Sequence, residues 1–186
     1  MDSEPLHDPK GDMGVEEVVL ATASAAGAQL RVESLVREYR TKLARYLRRM
    51  VGDSEVALDL TQDVFFAAFR TLQADPARPL TAGWLYKTAT NSAISFLRRK
   101  KIIRMLPLDR DHDVRSWRID EQSAASVDLQ AALARLPADQ ASAVLLTSYA
   151  GYSSQEAATM LGTSADAVRQ RVCRAMKTLR AIMTEK

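Results

Sequence analysis

The sequence is poor in the residues that build disulfides, metal sites and turns. Its one cysteine, Cys173, excludes an intrachain disulfide and any zinc site made of several thiolates. The only histidines are His7 and His112, so a histidine-rich metal site is excluded too. Seven glycines and six prolines in 186 residues offer few breaks, and the abundance of alanine and leucine favours helix. No stretch reads as a β-strand, and no apolar run reaches membrane-spanning length. The mildly apolar "VVLATASAAGA" follows Glu16 and Glu17, where a signal peptide would carry Lys or Arg. A cytoplasmic protein is expected. No nucleophile–base pair, glycine-rich phosphate loop or ligand cluster occurs, so the chain is not read as an enzyme, and no cofactor, metal or small-molecule substrate is expected.

Charge is unevenly spread beneath a net +3. Residues 1–30 hold one lysine against six Asp or Glu, and the rest holds 25 basic against 17 acidic residues. An acidic arm before a basic body suits a nucleic-acid partner.

The chain divides into four parts. Residues 1–27, with two prolines and many charges, read as a disordered arm in which a weak helix begins near Val15. Residues 28–101 read as three helices: one to about Met50 with Leu35, Tyr39, Leu43 and Leu47 at four-residue spacing, one over 54–73 capped by "GDS", and one from about Thr81 to "LRRKK". Residues 102–126 lack periodicity and read as a linker. Residues 127–186 read as four more helices. The expected fold is all-α: two small helical domains joined by a flexible linker, the second a helix-turn-helix.

That motif spans 153–174, "SSQEAATMLGTSADAVRQRVCR". Ser153 or Ser154 caps a short helix, with Glu156 as capping-box partner. Ala157 and Ala158 are small enough for a second helix to approach, Gly162 allows the sharp turn, and Ser164 caps the next helix. In such a motif the second helix enters the major groove. Its Val168, Val172, Ala175 and Leu179 share one face. Gln170, Arg174 and Lys177 lie opposite, flanked by Arg169 and Arg171. Arginine and glutamine can each pair with base edges, while flanking arginines suit phosphates. Cys173 is read as a small space-filler at the helix edge.

Two further helices carry patterns of their own. In 82–101 a core face of Leu85, Tyr86, Ala89, Ala93, Phe96 and Leu97 opposes Trp84, Lys87, Asn91, Ser95 and Arg98. Trp84 either stacks on unpaired bases or folds back over the "ADPARPL" turn. In 54–73, Asp59, Gln62, Asp63, Phe66 and Arg70 share a face, with Phe65, Phe69 and Leu72 pointing elsewhere. Phe66 either belongs to an acidic protein-binding patch or packs on the first helix.

Together "DLTQDVFFAAF" (59–69), "WLYKTATNSAISFLRRKK" (84–101) and "LPADQASAVLLTSYAGYSSQEAATMLGTSADAVRQRVCRAMKTLR" (136–180) resemble bacterial sigma factors of the extracytoplasmic-function group. The likeness covers about residues 34–101 and 127–183. It implies a promoter-specificity subunit. Asp59, Gln62, Asp63 and Phe66 would bind the β′ clamp of core RNA polymerase. Trp84, Lys87, Asn91, Ser95 and Arg98, with the turn before them, would melt and read the −10 element. Ser164, Arg169, Gln170, Arg171, Arg174 and Lys177 would read the −35 element, with the β flap also in contact. Promoter DNA and an anti-sigma factor are the other implied partners, the latter able to hold the protein at the inner membrane. The acidic arm has no counterpart in the family pattern, Thr90 stands where many relatives have arginine, and the turn before Trp84 lacks their phenylalanine. The competing readings are a stand-alone helix-turn-helix regulator, which leaves "DLTQDVF" unused, and a sigma mimic that sequesters an anti-sigma factor.

Overall fold

The structure, a computed structural model, describes the backbone of residues 15–105 and 124–184 and the side chains of 26–100 and 129–184. The order is α1 (Val15–Val51), α2 (Ser54–Ala74), α3 (Ala82–Met105), α4 (Ala124–Ala134), α5 (Ala138–Val144), α6 (Ser154–Leu161) and α7 (Ala165–Thr184). No strand occurs among the described residues. α5 continues as a π-helical turn over Leu145–Tyr149, where the Ala150 amide donates to the Leu145 carbonyl at 2.8 Å.

Two boundaries differ from expectation. α1 begins at Val15, where a weak helix was expected, but it runs unbroken past residue 28 from the stretch read as a disordered arm, because the alanine-rich residues 21–28 contain no proline and continue the helix. Residues 1–14 lie outside the described residues. The expected linker is also entered from both sides: α3 runs on to Met105 and α4 starts at Ala124. The rest of the linker lies outside the described residues.

Local chemistry sets the helix ends. Gly52, at φ 82°, ends α1 with its amide on the Arg48 carbonyl. The Asp53 carboxylate accepts from the Glu55 and Val56 amides and starts α2. Ser153 and Glu156 form a reciprocal capping box at α6, which ends at Gly162 with φ 62°.

The first three helices close on Leu43, Tyr46, Leu47, Val64, Leu72, Leu85 and Ala89, all buried. Each large apolar side chain so removed from water contributes about 1.5–3 kcal/mol before entropy. The last helices close on Leu133, Leu136, Val144, Leu146, Ala157, Val168, Ala175 and Leu179. These two assemblies are not separate bodies on a string. Apart from Leu72, these buried residues form one continuous cluster.

Four contacts make the junction. Tyr86 of α3 meets Tyr152 edge-on, with centroids 5.3 Å apart, and Tyr46 stands edge-on to the other side of Tyr86 at 5.1 Å. The Arg49 guanidinium lies 4.5 Å from the Tyr149 ring centroid. Gln130 of α4 is buried and donates to the Arg48 and Arg49 carbonyls at 3.3 and 2.9 Å, satisfying the last turn of α1. Gly83 lets α6 come close: a Cβ there would sit 3.3 Å from the Met160 methyl.

Candidate functional site

The helix-turn-helix is built from caps inward. Ala157 and Ala158 are buried where α6 crosses α7, and Val168, Ala175 and Leu179 seat α7 on the core, with Val172 half-buried. The Ser164 hydroxyl accepts from the Ala167 amide at 3.1 Å, so this predicted DNA contact also starts the helix. Its own proton stays available to an acceptor.

The basic face is only partly free. Gln170, Arg174 and Lys177 are exposed on the side away from the core. Arg169 pairs with Asp166 one turn earlier. Arg171 is half-buried and lies 3.4 Å from the Asp139 carboxylate of α5. The flanking arginines therefore have partners within the chain, and the central three residues face solvent. Cys173 is exposed, not a space-filler, since the helix turns it off the apolar seam.

The Glu156 carboxyl at α6 is held below the usual carboxylate range by hydrogen bonds from the Ser153 hydroxyl and amide. The charge lies at a helix N-terminus, where the macrodipole favours it.

On α3, Lys87, Asn91, Ser95 and Arg98 are all exposed along one face, while Leu85, Tyr86, Ala89 and Ala93 are buried. Trp84 is half-buried against the core, so its indole is neither a free platform nor fully sequestered. Thr90 is completely buried, and its departure from the family pattern changes the core and not the outer face. The turn before α3, residues 75–81, is mostly exposed and carries Arg78. The sequence reading passed over Arg78 and also Arg31 of α1, which hydrogen-bonds to this turn. No local pattern marks a contact between residues so far apart in the chain.

On α2, Asp59, Gln62 and Asp63 are exposed, and Phe66 among them is 62% exposed. Phe65 and Leu72 take the buried side. Packing of Phe66 on α1, one of its two expected placements, is thereby excluded. A large aromatic held in water beside two carboxylates is an exposed apolar feature that core packing does not account for. Acidic side chains disfavour DNA on this face. Among the described residues no His, Cys, Asp and Glu group is arranged to hold a metal, and no helix is long and apolar enough to cross a membrane.

Comparison with known proteins agrees with this layout. The Sigma-70 region 2 pattern matches residues 35–102, and the Sigma-70 region 4 pattern matches 126–179. The ECF RNA polymerase sigma factor SigE of Mycolicibacterium smegmatis is 34% identical over 187 residues, covering 95% of this chain and 69% of the relative. SigM of Mycobacterium tuberculosis, also an ECF sigma factor, is 30% identical over 164 residues, covering 88% and 83%. Among solved structures, CnrH in complex with the cytosolic domain of CnrY superposes with a TM-score of 0.63 at 27% identity, covering 90% of this chain and 97% of that one. The sigma factor RpoE of Bartonella quintana, in complex with the anti-sigma factor NepR, shares the fold with a TM-score of 0.68 at 22% identity, covering 82% and 96%. With region 2 and region 4 present in order, and relatives matched along nearly the whole chain, this protein belongs to the ECF family of RNA polymerase sigma factors.

Proposed function

We propose that this sigma factor divides its work among three surfaces. The α2 face of Asp59, Gln62, Asp63 and Phe66 docks on the β′ clamp of core polymerase. The outer face of α3, with Trp84, Lys87, Asn91, Ser95 and Arg98 and the turn at 75–81, receives the −10 element as it melts. The outer face of α7, led by Gln170, Arg174 and Lys177, reads the −35 element, with Ser164, Arg169 and Arg171 toward the phosphates. The chemistry of transcription belongs to the polymerase.

The observation that carries this reading is the exposure of Phe66 amid exposed acids. A stand-alone helix-turn-helix regulator has no use for such a patch. A sigma mimic has no use for an intact basic face on α7.

The junction between the two halves gives the reading a further step. α3 packs on α6 and α6 on α7, so the two DNA-reading helices lie within about two helix diameters, roughly 20–25 Å. Elements at −35 and −10 are about 25 base pairs apart, roughly 85 Å of duplex. The closed form cannot contact both, and the Tyr86–Tyr152 junction opens on assembly. An anti-sigma factor that favours the closed form would hold the protein inactive; the sigma factor RpoE of Bartonella quintana was solved in complex with one. Residues 1–14 of the acidic arm and 106–123 of the central linker lie outside the described residues.

The test is binding to core polymerase, followed by run-off transcription from randomised promoter DNA. Phe66→Ala lowers core affinity about tenfold, as loss of an aromatic anchor does, and leaves the unfolding midpoint unchanged. Unaltered core affinity in this variant overturns the docking assignment. Specific duplex binding without core binding favours the regulator reading.

A further inference from the structure

The turn between α2 and α3 is held partly from within and partly from α1. Its sequence over 75–81 is "DPARPLT", and the prolines at 76 and 79 supply no amide hydrogen. The two amides between them are spent inward: Ala77 donates to the Asp75 carboxylate at 3.1 Å and Arg78 to the Asp75 carbonyl at 3.1 Å. At the far end the Thr81 hydroxyl accepts from the Trp84 amide at 3.3 Å. No donor within the turn reaches the carbonyls of Pro76 and Arg78, which are left to solvent or to a side chain from elsewhere.

The donors to both come from one side chain. Arg31 of α1 donates from Nη1 to the Pro76 carbonyl and from Nη2 to the Arg78 carbonyl, the latter at 2.9 Å. These partners are 45 and 47 residues away in sequence. A guanidinium presents its donors in a rigid planar fork, so two carbonyls gripped together are fixed in spacing as well as in position. A lysine keeps the charge and cannot reproduce the fork. The residue before each proline is also biased to extended backbone, which narrows the shapes available to Asp75 and Arg78.

We infer that Arg31 is the positioning residue for −10 recognition: its forked grip on the Pro76 and Arg78 carbonyls sets the shape that residues 75–81 present to a base of the opened strand. This rests on the reading that the turn and α3 receive the −10 element. Arg31 touches no DNA in this role. It fixes the backbone from which the exposed Arg78 and the half-buried Leu80 extend. The base preference at −10 is thus set partly from α1, a helix otherwise concerned with the core.

The test uses holoenzyme reconstituted from core polymerase and the full chain, initiating on a library with a randomised −10 element and a constant −35 element. Arg31→Ala and Arg31→Lys should both flatten the base preference at −10 by about five- to tenfold, the scale of one net hydrogen bond. Core affinity and −35 preference should stay within about twofold, since Arg31 lies on neither surface. Trp84→Ala is run beside them as the control on the underlying reading. If Trp84→Ala flattens the preference and Arg31→Ala does not, Arg31 is no positioning residue and the reading stands. If Arg31→Lys keeps the wild-type preference while Arg31→Ala loses it, charge alone suffices and the forked grip is overturned. If none of the three variants alters preference at −10, the reading of this surface fails and the inference fails with it.

Discussion

The hydroxyls of Tyr46 and Thr90 lie 2.7 Å apart at the centre of the first three helices, with both residues completely buried. The Thr90 proton is committed to the Tyr86 carbonyl at 2.7 Å, so Tyr46 is the donor to Thr90. Burial keeps the Tyr46 phenol in its protonated form far into the alkaline range. Thr90→Val therefore strands a buried phenol and should cost about 1–3 kcal/mol in urea unfolding. Tyr46→Phe should cost less, because Thr90 retains its carbonyl partner. The double variant should recover part of the loss, and strictly additive losses would show that the two hydroxyls are not coupled.

The junction between the halves should be separable from folding. Gln130→Ala removes the donor to the last carbonyls of α1, and Tyr152→Ala removes the ring that meets Tyr86. Combined, they should increase the radius of gyration measured by small-angle scattering and raise the rate of binding to core polymerase. A compact double variant with wild-type association would mean that these contacts do not hold the closed form.

Stability should fall at both ends of the pH scale for identifiable reasons. The folded chain holds Glu156 below its ordinary pKa, so its contribution is present at neutral pH and is lost as pH falls through the depressed value. Glu156→Gln should flatten the acid limb of the unfolding midpoint. Tyr152 is pushed up to about 12 by burial, and Tyr86 is raised by the same cause. Their contribution is complete below pH 10.0, the ordinary phenol value, and is lost as pH rises from there through about 12. Tyr152→Phe should give a shallower alkaline limb. A limb as steep as wild type would place the titration elsewhere.

Arg174 is the exposed arginine in the middle of the α7 face, without the carboxylate neighbours that engage Arg169 and Arg171. Arg174→Ala should relax discrimination at one −35 position by about 1–3 kcal/mol. Arg171→Ala should instead weaken binding across all sequences and lower the salt dependence. Equal effects on selectivity from both substitutions would contradict this division of roles.

Asp63→Ala should weaken binding to core polymerase while leaving the unfolding transition intact, because the carboxylate is exposed and α2 is seated by Leu60, Val64, Phe65 and Leu72 on other faces. Unchanged affinity, measured by competition for core, would remove Asp63 from the docking surface.

How much of this was legible in the residues follows from the range of each signal. Asp53, Ser153, Glu156 and Gly162 act within one helical turn, and each was readable as a cap or turn residue. The seam of α7 was readable from its spacing, since Val168, Ala175 and Leu179 need only a partner of any kind. The start of α1 near Val15 was readable, but its continuity was not, because the charged, proline-bearing first dozen residues coloured the alanine-rich stretch behind them. The exposed Phe66 could not be separated from a core phenylalanine with certainty by periodicity alone, as Phe65 and Phe69 are its neighbours in kind. Gln130 on α1, Arg49 against Tyr149, and Arg31 on the turn at 75–81 were beyond reach. Each joins segments that only the folded chain brings together.

The π-helical turn at Leu145–Tyr149 has the effect of one residue inserted into a helix. Were it deleted, α5 would close as an ordinary helix, and everything after it would be rephased by about 100°. Tyr149 would swing off Arg49 and Tyr152 off Tyr86 while each helix stayed whole. The chain thus carries a frame of reference inside a helix: a single residue sets the angle at which one DNA-reading unit faces the other. Length variation at this point in related chains would alter the mutual orientation of the units without altering either one.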